Sequence, residues 1–266
     1  MQKSLLFRNR LLLYEVRGKG APVMLVHGFT EDRRIWDPFL EGLNEKYQWM
    51  IPDLPGSGQS DYNETLHHIK DFADALKAIA EQENCAAFVL IGHSMGGYIS
   101  LAFAEKYPQM IRGLGLFHST SYADPVEKKE TREKNIQFIH KYGSLPFVEL
   151  SVPGLFSESF NVEYQGEIVK LVTRYANFKP ESLVQYLEIM KKRPETTSVL
   201  KTISKPVLFI IGEEDKAVPL KDTLEQCHLP WISYIHILTR TAHMGMIENT
   251  LLCRSMIDRF LDEIPD

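Results

Sequence analysis

The sequence predicts an α/β fold in which a mostly parallel, eight-stranded sheet is covered by helices on both faces. Short apolar runs alternate with helical patterns along most of the 266-residue chain, and runs that are apolar throughout are typical of parallel strands buried on both faces. The alternation stops near residue 120 and resumes near residue 205, and the stretch between has a charged, mainly helical pattern. This length and pattern suit one α/β domain with a helical insertion.

The N-terminal part begins with two strands and then alternates. The first two strands form an antiparallel pair, because the apolar runs SLLF and RLLLYEV flank a turn-like RNR. The next elements, in chain order, are a strand at 22–28, a helix at 38–47, a strand at 49–56, a helix at 66–84 and a strand at 86–92. The helix at 66–84 is amphipathic, since one stripe at helical spacing holds Ile69, Phe72, Ala73, Leu76, Ile79 and Ala80.

The C-terminal part supplies the remaining strands. The elements are a helix at 98–107, a strand at 113–119 and, after the break, a strand at 205–215, a helix at 218–227, a strand at 232–238 and a helix at 247–261. We therefore divide the chain into a core, residues 1–119 and 201–266, and an insertion, residues 120–200. The insertion is expected to form a helical cap, or lid, over the edge of the sheet.

Charge and composition exclude several classes of protein. The formal net charge is −5 and no basic block stands out, so neither nucleic acid nor an anionic membrane surface is an expected partner. No run of 18 apolar residues occurs, so no transmembrane helix is predicted. The apolar pieces at the N-terminus are broken by Arg8, Asn9 and Arg10, which is unlike a signal peptide.

Cysteine usage favours a cytoplasmic protein without a metal site. The three cysteines, Cys85, Cys227 and Cys253, are odd in number and widely spaced, so reduced thiols are expected rather than a disulfide framework. No Cys-x-x-Cys pair is present, and the GSG at 56–58 lacks the third glycine of a dinucleotide-binding fingerprint. We expect no metal and no cofactor.

A candidate nucleophile lies where an apolar strand meets a helix. Gly92-His93-Ser94-Met95-Gly96 fits G-x-S-x-G, a weak signal alone but a strong one between a strand and a helix, where it predicts a nucleophile elbow. The turn is so tight that the positions of Gly92 and Gly96 must be small. The Ser94 hydroxyl is then exposed at the carboxyl end of its strand, where open α/β sheets bind ligands. The alternative is a glycine-rich turn with an incidental serine.

A serine nucleophile needs a base, and His243 is the best candidate among the nine histidines. It follows the last predicted strand, on a loop that can reach Ser94 across the sheet edge. His118 is a rival, since it ends the strand next to that of Ser94 and could line the pocket. His93 is expected to point elsewhere because neighbours at an elbow diverge. The solvated candidates are His67, His68, His140 and His228.

The base needs an orienting acid, and the developing oxyanion needs two N–H donors. The acid should follow a strand that lies between those of Ser94 and His243, where Glu213, Glu214 and Asp215 are all candidates. One oxyanion donor is the Met95 N–H, directly after the serine. The other is the Phe29 N–H, because Gly28 lets the chain turn sharply after its strand.

These motifs carry a family resemblance. LVHGFT, PDLPGSGQS, GHSMGG, GEEDKAVP and TAHMGMIE occur in this order and at spacings that resemble the α/β-hydrolase fold superfamily, in its cap-bearing branch of esterases, lipases, C–C hydrolases and related enzymes. The resemblance covers residues 20–120 and 205–262, whereas the insertion matches only in length and helical character.

The resemblance implies roles for individual residues. Ser94 becomes the nucleophile, Asp215 the acid and His243 the base, in the chain order usual for the family. Phe29 and Met95 become the oxyanion donors. A serine at the nucleophile position also counts against haloalkane dehalogenase and epoxide hydrolase chemistry, which need a carboxylate there.

The expected function is therefore hydrolysis of a small carboxylic ester, thioester or amide through an acyl-enzyme. The substrate should have an apolar part, held by pocket residues that are expected to include His118, Phe138, Phe147, Leu155 and Phe156. The same triad also serves C–C bond hydrolysis, perhydrolysis or a menaquinone-pathway elimination in other family members, although the last needs basic pocket residues that the sequence does not place in the insertion. A non-enzymatic receptor for a small ligand is the alternative of another class, and a homodimer is left open.

Overall fold

An eight-stranded sheet forms the centre of the structure, a computed structural model that describes residues 1–41 and 46–264. Its strands are β1 (Gln2–Phe7), β2 (Arg10–Arg17), β3 (Ala21–Val26), β4 (Tyr47–Pro52), β5 (Phe88–His93), β6 (Ile111–Phe117), β7 (Val207–Gly212) and β8 (Ser233–Leu238). The order across the sheet is β1-β2-β4-β3-β5-β6-β7-β8. Only the β1–β2 and β2–β4 pairs are antiparallel, which confirms the predicted mostly parallel sheet.

A two-residue turn connects the antiparallel strands β1 and β2. Phe7 pairs with Arg10, and the turn residues Arg8 and Asn9 have φ angles of 46° and 63°. Positive φ at both central positions is the conformation that matches the twist of a hairpin, and asparagine adopts it more readily than most residues. The predicted pairing of the first two strands is therefore confirmed.

Helices cover both faces of the sheet. Their bounds are α1 (Asp37–Leu40), α2 (Ile69–Gln82), α3 (Met95–Lys106), α4 (Val126–Tyr142), α5 (Ser144–Ser151), α6 (Glu158–Glu163), α7 (Gln165–Tyr175), α8 (Pro180–Lys192), α9 (Thr197–Thr202), α10 (Leu220–Leu224), α11 (Gly245–Glu248) and α12 (Thr250–Asp262). The helix predicted at 38–47 is observed only as the short α1, and residues 42–45 of that prediction lie outside the described residues. In the described part of the chain, none of these helices has the length and apolar character needed to cross a bilayer.

The two faces bury separate apolar clusters. On one face α2 and α3 pack on the sheet, and every residue of the predicted α2 stripe is buried. On the other face α1 and α12 contribute Phe39, Ile257 and Phe260, each fully buried. Full burial of one such side chain contributes roughly 1.5–3 kcal/mol, so the periodicity that predicts α2 also accounts for its place in the fold.

The insertion contains α4 to α8 and the start of α9, and its last long helix, α8, rests on loops of the core. The Gln185 amide donates to the carbonyl oxygens of Asn63 (2.7 Å) and Leu66 (2.9 Å). The Tyr186 hydroxyl donates to the Pro55 carbonyl at 2.8 Å. These buried hydrogen bonds tie the insertion to loops that follow β4.

Candidate active site

Ser94 lies at a strained turn between β5 and α3. Its φ and ψ angles are 51° and −115°, a region that side-chain-bearing residues rarely occupy and that costs on the order of 1–3 kcal/mol. The turn is held by the Ser94 N–H, which donates to the Phe117 carbonyl at 2.9 Å. Ser94 is partly exposed although its neighbours His93 and Met95 are buried. Strain of this kind, at an exposed hydroxyl, is typical of a functional position.

The two elbow glycines leave no room for a side chain. A Cβ on Gly92 would lie 2.2 Å from the Gly96 carbonyl oxygen, and a Cβ on Gly96 would lie 2.4 Å from the Val26 carbonyl oxygen. Both contacts are with backbone atoms, which cannot rotate away. The close approach of β3, β5 and α3 therefore requires glycine at both positions.

A buried carboxylate pairs with His243. The His243 Nδ1–H donates to Asp215 Oδ2 at 2.7 Å, while Asp215 Oδ1 accepts the N–H groups of Ala217 (2.8 Å) and Val218 (2.9 Å). Burial alone would raise the pKa of Asp215, but the neighbouring His243 and His118 rings and the hydrogen bonds lower it far below its usual value. Glu213 and Glu214 are exposed, so of the three acids only Asp215 meets His243.

The expectation that His93 points away from the site is wrong, because His93 lines the cavity at Ser94. Its Nε2 lies 2.9 Å from the His243 carbonyl oxygen and its Nδ1 lies 3.1 Å from Glu31 Oε2. Glu31 Oε2 also accepts the Gly28 N–H at 2.6 Å. Burial would lower the pKa of His93, but the Glu31 carboxylate outweighs it and raises that pKa. Sequence reasoning missed Glu31 because a single acid near a turn carries no pattern.

Two backbone donors near Ser94, one on the loop after β3 and one at the elbow, have no acceptor in the described part of the chain. Neither the Phe29 N–H nor the Met95 N–H has a hydrogen-bond partner among the residues that the structure describes. Met95 is fully buried, and buried N–H groups without a partner are rare in folded proteins. Met95 also begins α3, where the helix dipole favours negative charge. Both N–H groups are therefore free to donate to a further acceptor.

His118 lies behind the site rather than in its wall. Its Nδ1 is 3.5 Å from Asp215 Oδ2 and 3.1 Å from the Gly212 nitrogen, and its Nε2 is 3.3 Å from the Gly245 nitrogen. Burial lowers the pKa of His118 to about 4, so the ring is neutral at pH 7. The expectation that His118 lines the pocket is wrong, because its ring is enclosed by the backbone of the β7 and β8 loops.

A cavity of about 120 Å³ opens beside Ser94 and His243. The core contributes Phe29, Glu31, Tyr98 and Val218 to its wall, and the insertion contributes Lys128, Arg132, Ser151, Leu155 and Met190. The main chain of Leu155 also holds the site, because its carbonyl accepts the His243 N–H at 2.9 Å.

The three aromatic residues predicted for the pocket lie elsewhere. Phe156 is stacked on Phe160 with ring centroids 5.1 Å apart, and Phe138 packs on Tyr142 at 4.7 Å. Phe147 is buried and touches the cavity residue Phe29 from behind, with centroids 5.9 Å apart. Phe147 and Phe156 are buried and Phe138 is half-buried, and none of the three rings lines the cavity.

The insertion supplies two basic residues to the cavity wall. The sequence alone does not place any basic residue of the insertion there. Lys128 and Arg132 are four residues apart on α4 and share the face that covers Ser94. The signal was hidden because α4 carries charges on all sides, so no apolar stripe shows which face is turned inward.

No metal centre is formed by the described residues, which contain no group of three or more His, Cys, Asp or Glu side chains suited to hold an ion. The three cysteines are buried and unpaired.

Comparisons with known proteins match both the sequence and the fold. The sequence model of the alpha/beta hydrolase fold matches residues 21–250. The chain is 27% identical over 254 residues to a pimeloyl-(acyl-carrier protein) methyl ester esterase of Legionella pneumophila (strain Corby), covering 92% of this chain and 96% of that protein. It is similar to a thermophilic esterase of Thermogutta terrifontis, solved with malate bound, at a TM-score of 0.93 and 27% identity over 99% of both chains. An enol-lactonase from Burkholderia xenovorans LB400 shares the fold, with a TM-score of 0.90 and 17% identity over 98% of this chain and 100% of that one.

Proposed function

The chain belongs to the alpha/beta hydrolase fold family, and from this premise we propose that it is a serine hydrolase that cleaves small carboxylic esters through an acyl-enzyme. Relatives that are named esterases support ester hydrolysis over the thioester and amide alternatives. The residues we assign are Ser94 as nucleophile, His243 as base, Asp215 as orienting acid, and the N–H groups of Phe29 and Met95 as oxyanion donors.

The observation that carries this proposal is the 2.7 Å hydrogen bond between His243 Nδ1 and Asp215 Oδ2, because His243 lines the same cavity as the partly exposed Ser94. The bond fixes the tautomer in which Nε2 lacks a proton and can accept one. Burial keeps water from competing for the Asp215 carboxylate, so His243 is stabilised when it becomes charged during the reaction.

Each step then follows from these positions. The Ser94 oxygen attacks the ester carbonyl carbon while its proton passes to His243 Nε2. The negative charge that develops on the carbonyl oxygen is received by the Phe29 and Met95 N–H groups. His243 gives its proton to the leaving alcohol, and an acyl-Ser94 remains. A water molecule, deprotonated by His243, releases the acid and restores the hydroxyl.

Cavity size favours short substrates. A cavity of about 150 Å³ accommodates a ring the size of benzene, and the cavity at Ser94 is about 120 Å³. We propose that the insertion acts as a cap whose Leu155 and Met190 limit the length of the acyl group.

The alternative functions, a receptor and the other triad chemistries, account for fewer features of this site. A receptor needs neither a buried acid oriented on His243 nor unpartnered N–H groups at the elbow. The basic residues that the elimination reading requires are present as Lys128 and Arg132, but C–C hydrolysis, perhydrolysis and elimination have no relative among those compared above. Failure of the protein to cleave any ester in the screen described below would favour one of these chemistries.

Cytoplasmic location and a homodimer remain predictions. Burial raises the pKa of Cys227 to about 11, so this thiol is protonated and unreactive at neutral pH. A reducing compartment agrees with three unpaired thiols.

A screen of chromogenic esters with acyl chains of two to twelve carbons tests the function. We expect wild-type protein to prefer the shortest chains, and Ser94→Ala to lose at least about a thousandfold in kcat, because serine loss removes covalent catalysis. Substitution of the exposed Ser204 by alanine is the control and should change nothing. Failure of the wild-type protein to cleave any ester, or full activity in Ser94→Ala, would contradict the proposal.

A further inference from the structure

We propose that Lys128, Arg132 and Tyr98 form an anion subsite in the cavity beside Ser94, and that the substrate is an ester carrying a carboxylate group. This inference rests on the proposed function and narrows its substrate class. All three residues line the same cavity as Ser94 and His243.

The three side chains have hydrogen-bond donors to spare. The Lys128 ammonium has three donors and uses one on the Ala217 carbonyl, at 2.7 Å. Arg132 uses Nε and Nη2 on Asp124, and its Nη1 has no partner among the described residues. The Tyr98 hydroxyl likewise forms no hydrogen bond with any described residue. Three residues that line one cavity therefore have donors free for an acceptor.

The local charge is positive although the chain is acidic overall. Asp124 is buried, accepts hydrogen bonds from Arg132, and forms an ion pair with Arg193, whose Nη1 lies 2.8 Å from Asp124 Oδ1. One carboxylate is thus shared by two guanidinium groups, and Lys128 has no carboxylate partner in the described part of the chain. Lys128, Arg132 and Arg193 are cations and Asp124 is the one carboxylate among them, so the four side chains carry a formal net charge of about +2.

The same three cations also act on the Tyr98 hydroxyl. Burial would raise the pKa of its hydroxyl, but the charges of Arg193, Lys128 and Arg132 outweigh burial and lower it. The Arg193 guanidinium also lies 3.8 Å from the centroid of the Tyr98 ring. A field that favours a phenolate at this position also favours a carboxylate from a ligand.

One acidic residue shares the cavity wall, and its charge is compensated. Glu31 Oε2 lies 3.1 Å from the His93 ring and accepts the Gly28 N–H. The raised pKa of His93 favours an imidazolium beside that carboxylate. The pair is close to neutral and does not cancel the charge contributed by the insertion.

The test separates this role from a structural one. Lys128 also ties α4 to the loop that follows Asp215, so a variant must keep the hydrogen bond and lose the charge. Lys128→Gln removes the charge and keeps an N–H donor on a side chain one bond shorter, and the neutral ester measures any loss that comes from the weakened tie to Ala217. Lys129→Gln is the matched control, since Lys129 is the exposed neighbour on the same helix.

Methanol release is measured for matched esters: monomethyl succinate, glutarate and adipate, and neutral methyl esters of unbranched acids with the same acyl carbon counts. We expect wild-type protein to have the higher kcat/KM for the anionic ester at one chain length or more. Lys128→Gln should lower the anionic-to-neutral ratio about tenfold or more, as expected for loss of a charged hydrogen bond. Lys129→Gln should leave the ratio unchanged.

Preference for the neutral ester at every length, or an equal loss on both esters in Lys128→Gln, would overturn the subsite. Glutarate binding, measured by calorimetry, separates this failure from that of the proposed function. If no ester is cleaved but glutarate binds and Lys128→Gln weakens binding about tenfold, the subsite stands and the hydrolase proposal fails. If neutral esters are cleaved and glutarate does not bind, the subsite fails alone.

Discussion

In the proposed mechanism single buried charges control the site, and each is held by a partner that can be removed. Asp215 is 5% exposed and would be costly to bury as an unpaired carboxylate. It accepts hydrogen bonds from His243 and from two backbone N–H groups. The Ala217 and Val218 N–H groups bind Oδ1 and hold the carboxylate in place. A substitution that changes Oδ2 therefore acts on its partner, His243.

Asp215→Asn should reduce kcat by about 10⁴-fold, because an amide favours the wrong tautomer of His243 while it keeps the shape of the side chain. Glu213→Gln and Glu214→Gln are matched controls on the same turn and should stay near wild type. The measurement is steady-state hydrolysis of a chromogenic acetate ester. Loss of activity in a glutamate variant, with Asp215→Asn active, would reassign the acid.

Glu31→Gln tests the support of His243 through His93. The substitution weakens the pair that holds the His243 carbonyl, and small displacements of a catalytic group cost up to about a hundredfold in rate. We expect kcat to fall about tenfold or more with little change in KM. An effect confined to KM would show that Glu31 acts on substrate binding instead.

Residue roles differed in how far the sequence could predict them. The roles proposed for Ser94, Asp215 and His243 follow from motifs because each residue is tied to the end of a particular strand. Glu31 and Lys128 have no such motif, since what matters is which loop or helix face is turned toward the cavity. The prediction that His118 lines the pocket failed for the same reason, because the position of its strand next to β5 does not show which way the ring points.

The position of Ser94 depends on the close packing of β3, β5 and α3 around the turn between β5 and α3. Gly92→Ala should destabilise the protein by about 3 kcal/mol or more, because its Cβ would meet the Gly96 backbone and neither can move freely. Gly166→Ala is the control, since a Cβ there has no neighbour within 4 Å. It should stabilise α7 by about 0.4–1 kcal/mol. Urea unfolding measures both, and equal stabilities would contradict the argument.

Leu155→Trp tests the role of the insertion in chain length. The side chain lines the cavity, so a larger one should lower kcat/KM for hexanoate esters by about tenfold relative to acetate, since a lost or added methylene in a pocket changes specificity by roughly that factor. Leu150→Trp is the control, since Leu150 is 71% exposed on α5. An unchanged preference in Leu155→Trp would mean that this residue does not limit the acyl group.

Element types were predictable where apolar periodicity was strong. The alternation predicts β5 and α3 in the correct order, with ends displaced by a few residues. The insertion was predictable as helical but not in its packing, because α4 buries Arg132 next to Ile136 and Ile139. A buried arginine that pairs with Asp124 looks the same in sequence as a solvated one.

For the whole molecule, the opposite pKa shifts of the buried His118 and His93 predict that the free energy of unfolding is highest near pH 6.5. The folded-state pKa of His118 is about 4, against about 6.5 when unfolded, so stability is lost as pH falls from 6.5 toward 4, by roughly 3 kcal/mol. The folded-state pKa of His93 is raised, so its contribution is present below pH 6.5 and is lost as pH rises.

Urea unfolding at pH 5, 6.5 and 8 measures these opposite slopes. We expect the free energy of unfolding to be highest at pH 6.5. His118→Asn should flatten the acid side between pH 5 and 6.5, whatever its effect on absolute stability. A wild-type stability that rises steadily to pH 8 would contradict the contribution assigned to His93.

Covalent modification of Ser94 tests the central claim most directly. A fluorophosphonate forms a bond only to an activated serine, and its tetrahedral phosphorus resembles the intermediate that the Phe29 and Met95 N–H groups would hold. Mass spectrometry should find one adduct per chain, on the peptide that contains Ser94, and none in Ser94→Ala. An unmodified Ser94, or equal labelling of wild type and Ser94→Ala, would contradict the acyl-enzyme mechanism.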